Sequence, residues 1–275
     1  MFAGDWHAGT EFAITSIDHA AERSVDRILH VGDFGFWPRH QQGIEFLEAV
    51  SDHAVQRGVS IWFCDGNHED HAELPHDSET KPVEIAANIR WMPRGTTLDW
   101  DGRRILFMGG AVSVDQFARF PGRTWFQEEI PTEAHWHRAM STRDVDVVVA
   151  HDTVPGMPVS GRPSLSIPWS IRRRASDHRK RLQGLQKKLQ PSLWVHGHWH
   201  QRATATLGGT KFESLGHDRG PLHEALLLVV EVPVRDVEVV ESPRLPDQTG
   251  VPELLGESHG QHVSEATWRT DRRAR

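Results

Sequence analysis

Residues 59–69 read Val59-Ser60-Ile61-Trp62-Phe63-Cys64-Asp65-Gly66-Asn67-His68-Glu69. A mostly apolar run passes directly into a polar, glycine-bearing cluster, which is the mark of a buried strand stopping at a sharp turn. The same pattern lies upstream, where residues 27–31 end at Gly32-Asp33. Between the two runs, residues 41–57 carry Ile44, Leu47, Val50 and Ala54 at helical spacing. Residues 10–22 likewise place Phe12, Ile14, Ile17 and Ala20 or Ala21 near one face. Residues 1–4 form a very short strand before Asp5-Trp6-His7. This β-α-β-α-β alternation predicts a parallel core with helices on its faces.

Further along, residues 97–100 and 103–108 flank Asp101-Gly102, the sequence of a tight hairpin turn. Residues 146–150 read as a strand ending at His151-Asp152, and residues 154–168 as a loop holding Pro155, Pro158, Pro163 and Pro168. A helix is expected over 170–190, with Ile171, Ala175, Leu182, Leu185 and Leu189 on one side. Residues 193–195 give a strand ending in His196-Gly197-His198-Trp199-His200. Residues 203–206, 211–213 and 225–232 read as antiparallel strands. The domain is expected to span 1–241, with 242–275 a disordered tail rich in Pro, Gly, Asp, Glu, Ser and Arg.

Five polar clusters each follow an apolar run: Asp5-Trp6-His7, Gly32-Asp33, Gly66-Asn67-His68-Glu69, His151-Asp152 and Gly197-His198-Trp199-His200. Ligands of open α/β sheets gather outside the carboxyl ends of the strands, so five strands can deliver side chains to one place. Extended alternation puts Asp5 with His7, and His198 with His200, on a common side, with Trp199 turned away. The neighbouring glycines allow close backbone approach. Asp, Asn and His suit divalent Mn, Fe, Zn or Ni, and two such ions clamp a phosphate for in-line attack.

In this order the motifs D-x-H, GD, GNHE, H and GHxH, from Asp5 to His200, resemble the calcineurin-like metallophosphoesterase superfamily. The resemblance implies two facing mixed β-sheets flanked by helices, an α/β fold, around a dinuclear centre. It implies Asp5, His7 and His200 at the first metal, with Asn67, His151 and His198 at the second. Asp33 would bridge both, a hydroxide between the metals would attack phosphorus, and His68 would serve the leaving oxygen as proton donor or charge stabiliser. Residues 109–115, Arg119, residues 122–126 and Glu128-Glu129 more loosely resemble a bacterial and phage subgroup.

The sequence departs from the protein Ser/Thr phosphatase branch, where GD continues as GDxVDRG. Phe36 stands for the second Asp, which orients the catalytic His, and Trp37 for the phosphate-gripping Arg. Arg39, Arg119 and Arg123 are candidate substrate-binding replacements. The short first strand should anchor Asp5 weakly, which suggests a natural start upstream of Met1.

The chain has 275 residues, net charge −7, 19 His, 11 Trp, no Tyr and one Cys. The lone Cys64 excludes a disulfide framework and a Cys-based zinc ribbon, and fits a cytoplasmic location. The negative balance gives no overall nucleic-acid footprint. No stretch has the ~20 apolar residues of a membrane helix, and the start does not read as a signal peptide. Arg172, Arg173, Arg174, Arg179, Lys180, Arg181, Lys187 and Lys188 read as a solvated helix face in preference to a phosphate track. His71, His76, His135, His137, His196 and His217 read as structural or solvent-facing, with His71 the nearest exception. Trp125 and Phe126 read as core, and the loop at 154–168 as a rigid connection or a lid.

The expectation is a cytoplasmic phosphoesterase with two divalent ions, Mn first, acting on phosphate mono- or diesters. A nuclease, a catalytically weak metal-binding scaffold and a protein phosphatase are the alternatives; the oligomeric state is open.

Overall fold

The computed structural model describes residues 1–76, 80–160 and 167–229. Two six-stranded sheets form the frame. The first runs β12(Leu226–Leu227), β1(Phe2–Ala3), β2(Arg27–His30), β3(Ser60–Phe63), β5(Ile89–Trp91), β4(Val83–Ala86). The second runs β10(Ala203–Leu207), β11(Thr210–Ser214), β9(Leu193–His196), β8(Val147–Ala150), β7(Arg103–Met108), β6(Thr97–Trp100). Each has four parallel inner strands and one antiparallel strand at either edge.

Side-chain alternation makes the layers. In β8, Val147 and Val149 face the other sheet, packing with Leu29, Val31, Phe107 and Val195. Val148 and Ala150 point outward onto Trp136 of α3(Glu133–Ser141) and onto Leu182 and Leu185 of α4(Trp169–Leu189). On the first sheet, Ile28 and Ile61 face Ile17 of α1(Thr10–Ala21) and Phe46 and Val50 of α2(Gln41–Arg57). Two sheets therefore share one apolar layer and carry helices outside, as the resemblance implied.

The hairpin turn has Asp101 at φ 50° and Gly102 at φ 70°, the paired positive values of a type I′ turn. Two expectations need correction. The strand expected at 225–232 begins as the helical turn α5(Leu222–Ala225), and only Leu226–Leu227 pair as β12, in the first sheet beside β1. Nor is Asp5 weakly anchored: β1 lies between β2 and β12, the Asp5 amide donates to the Gly216 carbonyl, and the Asp218 amide donates to the Asp5 carbonyl. Neighbouring strands and the 215–218 turn supply what strand length does not. The tail expected at 242–275, positions 230–232 of the expected strand and residues 161–166 of the proline loop lie outside the described residues.

Candidate metal centre

All five clusters arrive at one end of the two sheets. Asp5, His7, Asp33 and Asn67 follow β1, β2 and β3; His151, His198 and His200 follow β8 and β9. Ligand atoms from Asp5, His7, Asp33 and His200 lie within 4.8 Å of one another. Asp33 divides its oxygens: Oδ2 lies 3.3 Å from Nε2 of His7, and Oδ1 lies 3.3 Å from Nε2 of His151. Asp5 Oδ2 lies 3.3 Å from Nε2 of His200. Oδ1 of Asn67 is 3.1 Å from His151 Nε2, and the His198 ring is 5.0 Å from the His151 ring. The structure thus brings together all seven residues.

Extended alternation does not produce this convergence. His7, Asp33, His198 and His200 have φ of 45°, 53°, 66° and 55°. These left-handed kinks cost of order 1 kcal/mol or more each and mark functional sites more often than ordinary turns. Trp199 does turn away, its indole N–H donating to Asp152. Two glycines act by clearance alone. A Cβ on Gly66 would sit 2.0 Å from Asp33 Oδ1, and one on Gly197 would sit 1.9 Å from Asp5 Oδ1.

The electrostatics call for a cation. Asp5 and Asp33 are buried, and Asp5 Oδ1 has no hydrogen-bond partner. Burial would raise the Asp33 carboxyl, but the charges of His151 and His68 and hydrogen bonds from His151 and His7 hold it well below its usual range. Burial would lower His7, yet Asp218 and Asp33 raise it to about 11. His151 is raised to about 10 by Asp33 against the same burial. These opposed shifts mark a buried anionic pocket whose carboxylates a divalent cation would satisfy. The ring contacts fix the outlook of each ligand: His7 Nδ1 meets Asp218 Oδ1 at 3.2 Å and His151 Nδ1 donates to the Val31 carbonyl at 2.9 Å, so Nε2 of each faces the centre. An unpartnered buried carboxylate oxygen, inward-facing imidazoles and an all O/N donor set fit divalent metal.

His68 lies at the same opening. Its backbone N–H donates to Asp33 Oδ1 at 2.8 Å, and the Arg119 guanidinium donates to its Nε2 at 2.6 Å. Burial, with Arg119's charge, lowers His68 to about 4 against the pull of Asp33. Arg119 is itself paired with Asp115 at 2.8 Å. An open cleft of about 570 Å³ beside the centre is lined by His7, Trp37, His40, His68, Arg119 and Thr124, among others. Of the three candidate arginines, Arg119 alone borders it. Arg39 forks onto Asp70 under the Phe126 ring, and Arg123 is exposed on the 121–125 turn. Phe126 is core, while Trp125 is half-buried. The basic residues of α4 are mostly exposed, though Arg179 lies over Trp199.

Sequence reasoning missed the supports. Asp218 stands behind His7, Ser113 and Glu129 behind Asn67, and Glu69 accepts N–H bonds from Phe34 and Gly66, tying two ligand loops together. Glu69 carried a signal in its place in the GNHE cluster, and Ser113 and Glu129 lay in the segments of the looser resemblance without any role assigned, while Asp218 carried none.

A strand-end cluster of carboxylates, imidazoles and one amide between two mixed sheets defines a metal-dependent hydrolase of the phosphoesterase kind. The sequence profile described as calcineurin-like phosphoesterase matches residues 1–202, and the chain belongs to that family of phosphoric ester hydrolases. No curated protein sequence matches it. Among solved structures it is similar to TT1561 of Thermus thermophilus (12% identity, 78% of this chain and 88% of that one, TM-score 0.48). It is also similar to a dimetal phosphatase from Danio rerio (13%, 78% and 80%, TM-score 0.47). Among the described residues, no helix is long and apolar enough to cross a membrane.

Proposed function

We propose that the chain hydrolyses phosphate mono- or diesters at a centre for two divalent ions. Asp5, His7 and His200 would hold one ion, Asn67, His151 and His198 the other, and Asp33 both. The supporting observation is Asp33, whose two oxygens each face a different inward-turned histidine, beside a buried and unpartnered Asp5 oxygen. When bound, the ions supply Lewis acidity that activates water and neutralises phosphoryl charge. Mn is the first metal to try, and a cytoplasmic site of action accords with the lone buried Cys64.

The protein's own groups set the geometry. Arg119 borders the cleft and can receive a phosphoryl oxygen, with Asp115 holding the guanidinium. His68 Nε2 accepts from Arg119, so the pair offers fixed positive charge at the leaving-group side until substrate separates them. Trp37, standing where a protein phosphatase has arginine, gives the cleft an aromatic wall. That favours a small ester over a phosphoprotein. The test is a panel of aryl monoester, bis-aryl diester, cyclic nucleotide, phosphopeptide and single-stranded DNA, with metal content measured in parallel. Close to two ions per chain and turnover of at least one ester are expected. A metal-free preparation that stays fully active would overturn the reading.

A further inference from the structure

An asparagine is a metal ligand only through its oxygen, since the amide nitrogen has no available lone pair. Something must decide which end of Asn67 faces the centre. The buried neighbours settle it by counting protons. Glu129 takes the Ser113 backbone N–H on Oε1 at 2.9 Å and the Ser113 hydroxyl on Oε2 at 2.6 Å. An ionised Glu129 has no proton to give, so the single hydroxyl proton is used in that bond. Ser113 Oγ can then only accept from Asn67, and only Nδ2 can donate, which it does at 3.0 Å. Oδ1 is thereby turned the other way, 3.1 Å from His151 Nε2.

Asn67, Ser113 and Glu129 are 4%, 1% and 0% exposed, so no solvent competes for these bonds. Glu129 is fixed in turn, its carbonyl accepting from the buried Arg94 at 3.2 Å. Burial pushes the Glu129 carboxyl up to about 7 against the bonds from Ser113 and the approach of Trp125, and a group so placed is costly unless its orientation matters. Resting on the reading of Asn67 as a ligand, we infer that Ser113 and Glu129 are positioning residues that present the Asn67 oxygen to the second metal position. Neither touches the centre, and both come from the segment between β7 and α3.

The experiment is calorimetric titration of the metal-free full chain with Mn²⁺. Asn67→Ala should lose one of two binding events, and if it keeps both, the reading of the centre itself falls. Ser113→Ala and Glu129→Gln should each weaken the second event by about 10–100-fold and leave the first unchanged. Wild-type binding in both would overturn the positioning role while leaving Asn67 a ligand. Asn67→Asp provides the orientation control, because both ends of a carboxylate are oxygen. Placed on Ser113→Ala it should restore the second event, and placed on the wild-type chain it should not tighten it. Equal gains in both backgrounds would be a charge effect, and no restoration would mean general damage; either overturns the inference. Should Ser113→Ala fail to fold, Glu129→Gln with and without Asn67→Asp gives the same two answers.

Discussion

Among the described residues, two buried groups bring carboxylate and histidine atoms close enough to hold an ion, and they differ in their counter-charge. At the strand-end centre, Asp5 and Asp33 face imidazole nitrogens and backbone N–H groups, with no lysine or arginine among the described residues on either carboxylate. The other group, Asp65 with His71 and His76, also brings its ligand atoms within 4.8 Å. There Arg94 donates from Nε and Nη2 to Asp65 Oδ2 at 2.8 and 2.6 Å, and Trp91 donates to Oδ1 at 3.1 Å. Arg94 is a cation already in place, so the charge a metal would neutralise is gone. His71 Nδ1 and His76 Nε2 contact each other at 2.9 Å, and burial with Arg94's charge lowers the two rings to about 3 and 2. The residue types alone do not separate the two groups; the counter-charge does.

That contrast can be broken by substitution. Asp33→Asn should lower ester turnover by on the order of 10³-fold or more, since in the proposed centre both ions would lose a shared ligand, with the thermal midpoint of the metal-free chain little changed. Parallel loss of fold and activity would make the centre structural. Arg94→Met should do the reverse. It leaves Asp65 buried without its partner, at a cost of about 3–5 kcal/mol in denaturant unfolding, and the folded fraction should still bind two ions. A new ion at Asp65 in that variant would show Arg94 to be the occupant that keeps metal out.

The next effects sharpen the centre itself. His68→Ala should keep metal content and slow turnover by about 100-fold for esters with poor leaving groups, and least for good ones. Equal slowing across the series would remove a leaving-group role. Asp218→Ala frees His7 Nδ1, and metal affinity measured by titration should fall about 10-fold.

How much of this could be read beforehand follows from the range of each signal. α2 and both strands of the β6–β7 hairpin lie at the expected residues, because helical spacing and an Asp-Gly turn are local. The seven clustered residues were legible for the same reason, their five clusters each following an apolar run. β4, β5 and α3 were not. Val83–Ala86 is only half-buried at a sheet edge, and three-residue β5 has too few positions to show alternation. The supporting roles of Asp218 and Glu129 were not legible because their partners lie 211 and 16 residues away, distances at which sequence carries no periodicity.

The layout of the centre also sets an order of events. Asp5, His7, Asp33 and Asn67 belong to the first sheet, and His151, His198 and His200 to the second. In the proposed centre, a chain emerging from the ribosome would complete neither ligand set before residue 198 is made and the sheets have met. Metal uptake at such a centre would come late in synthesis and would follow the docking of the two sheets.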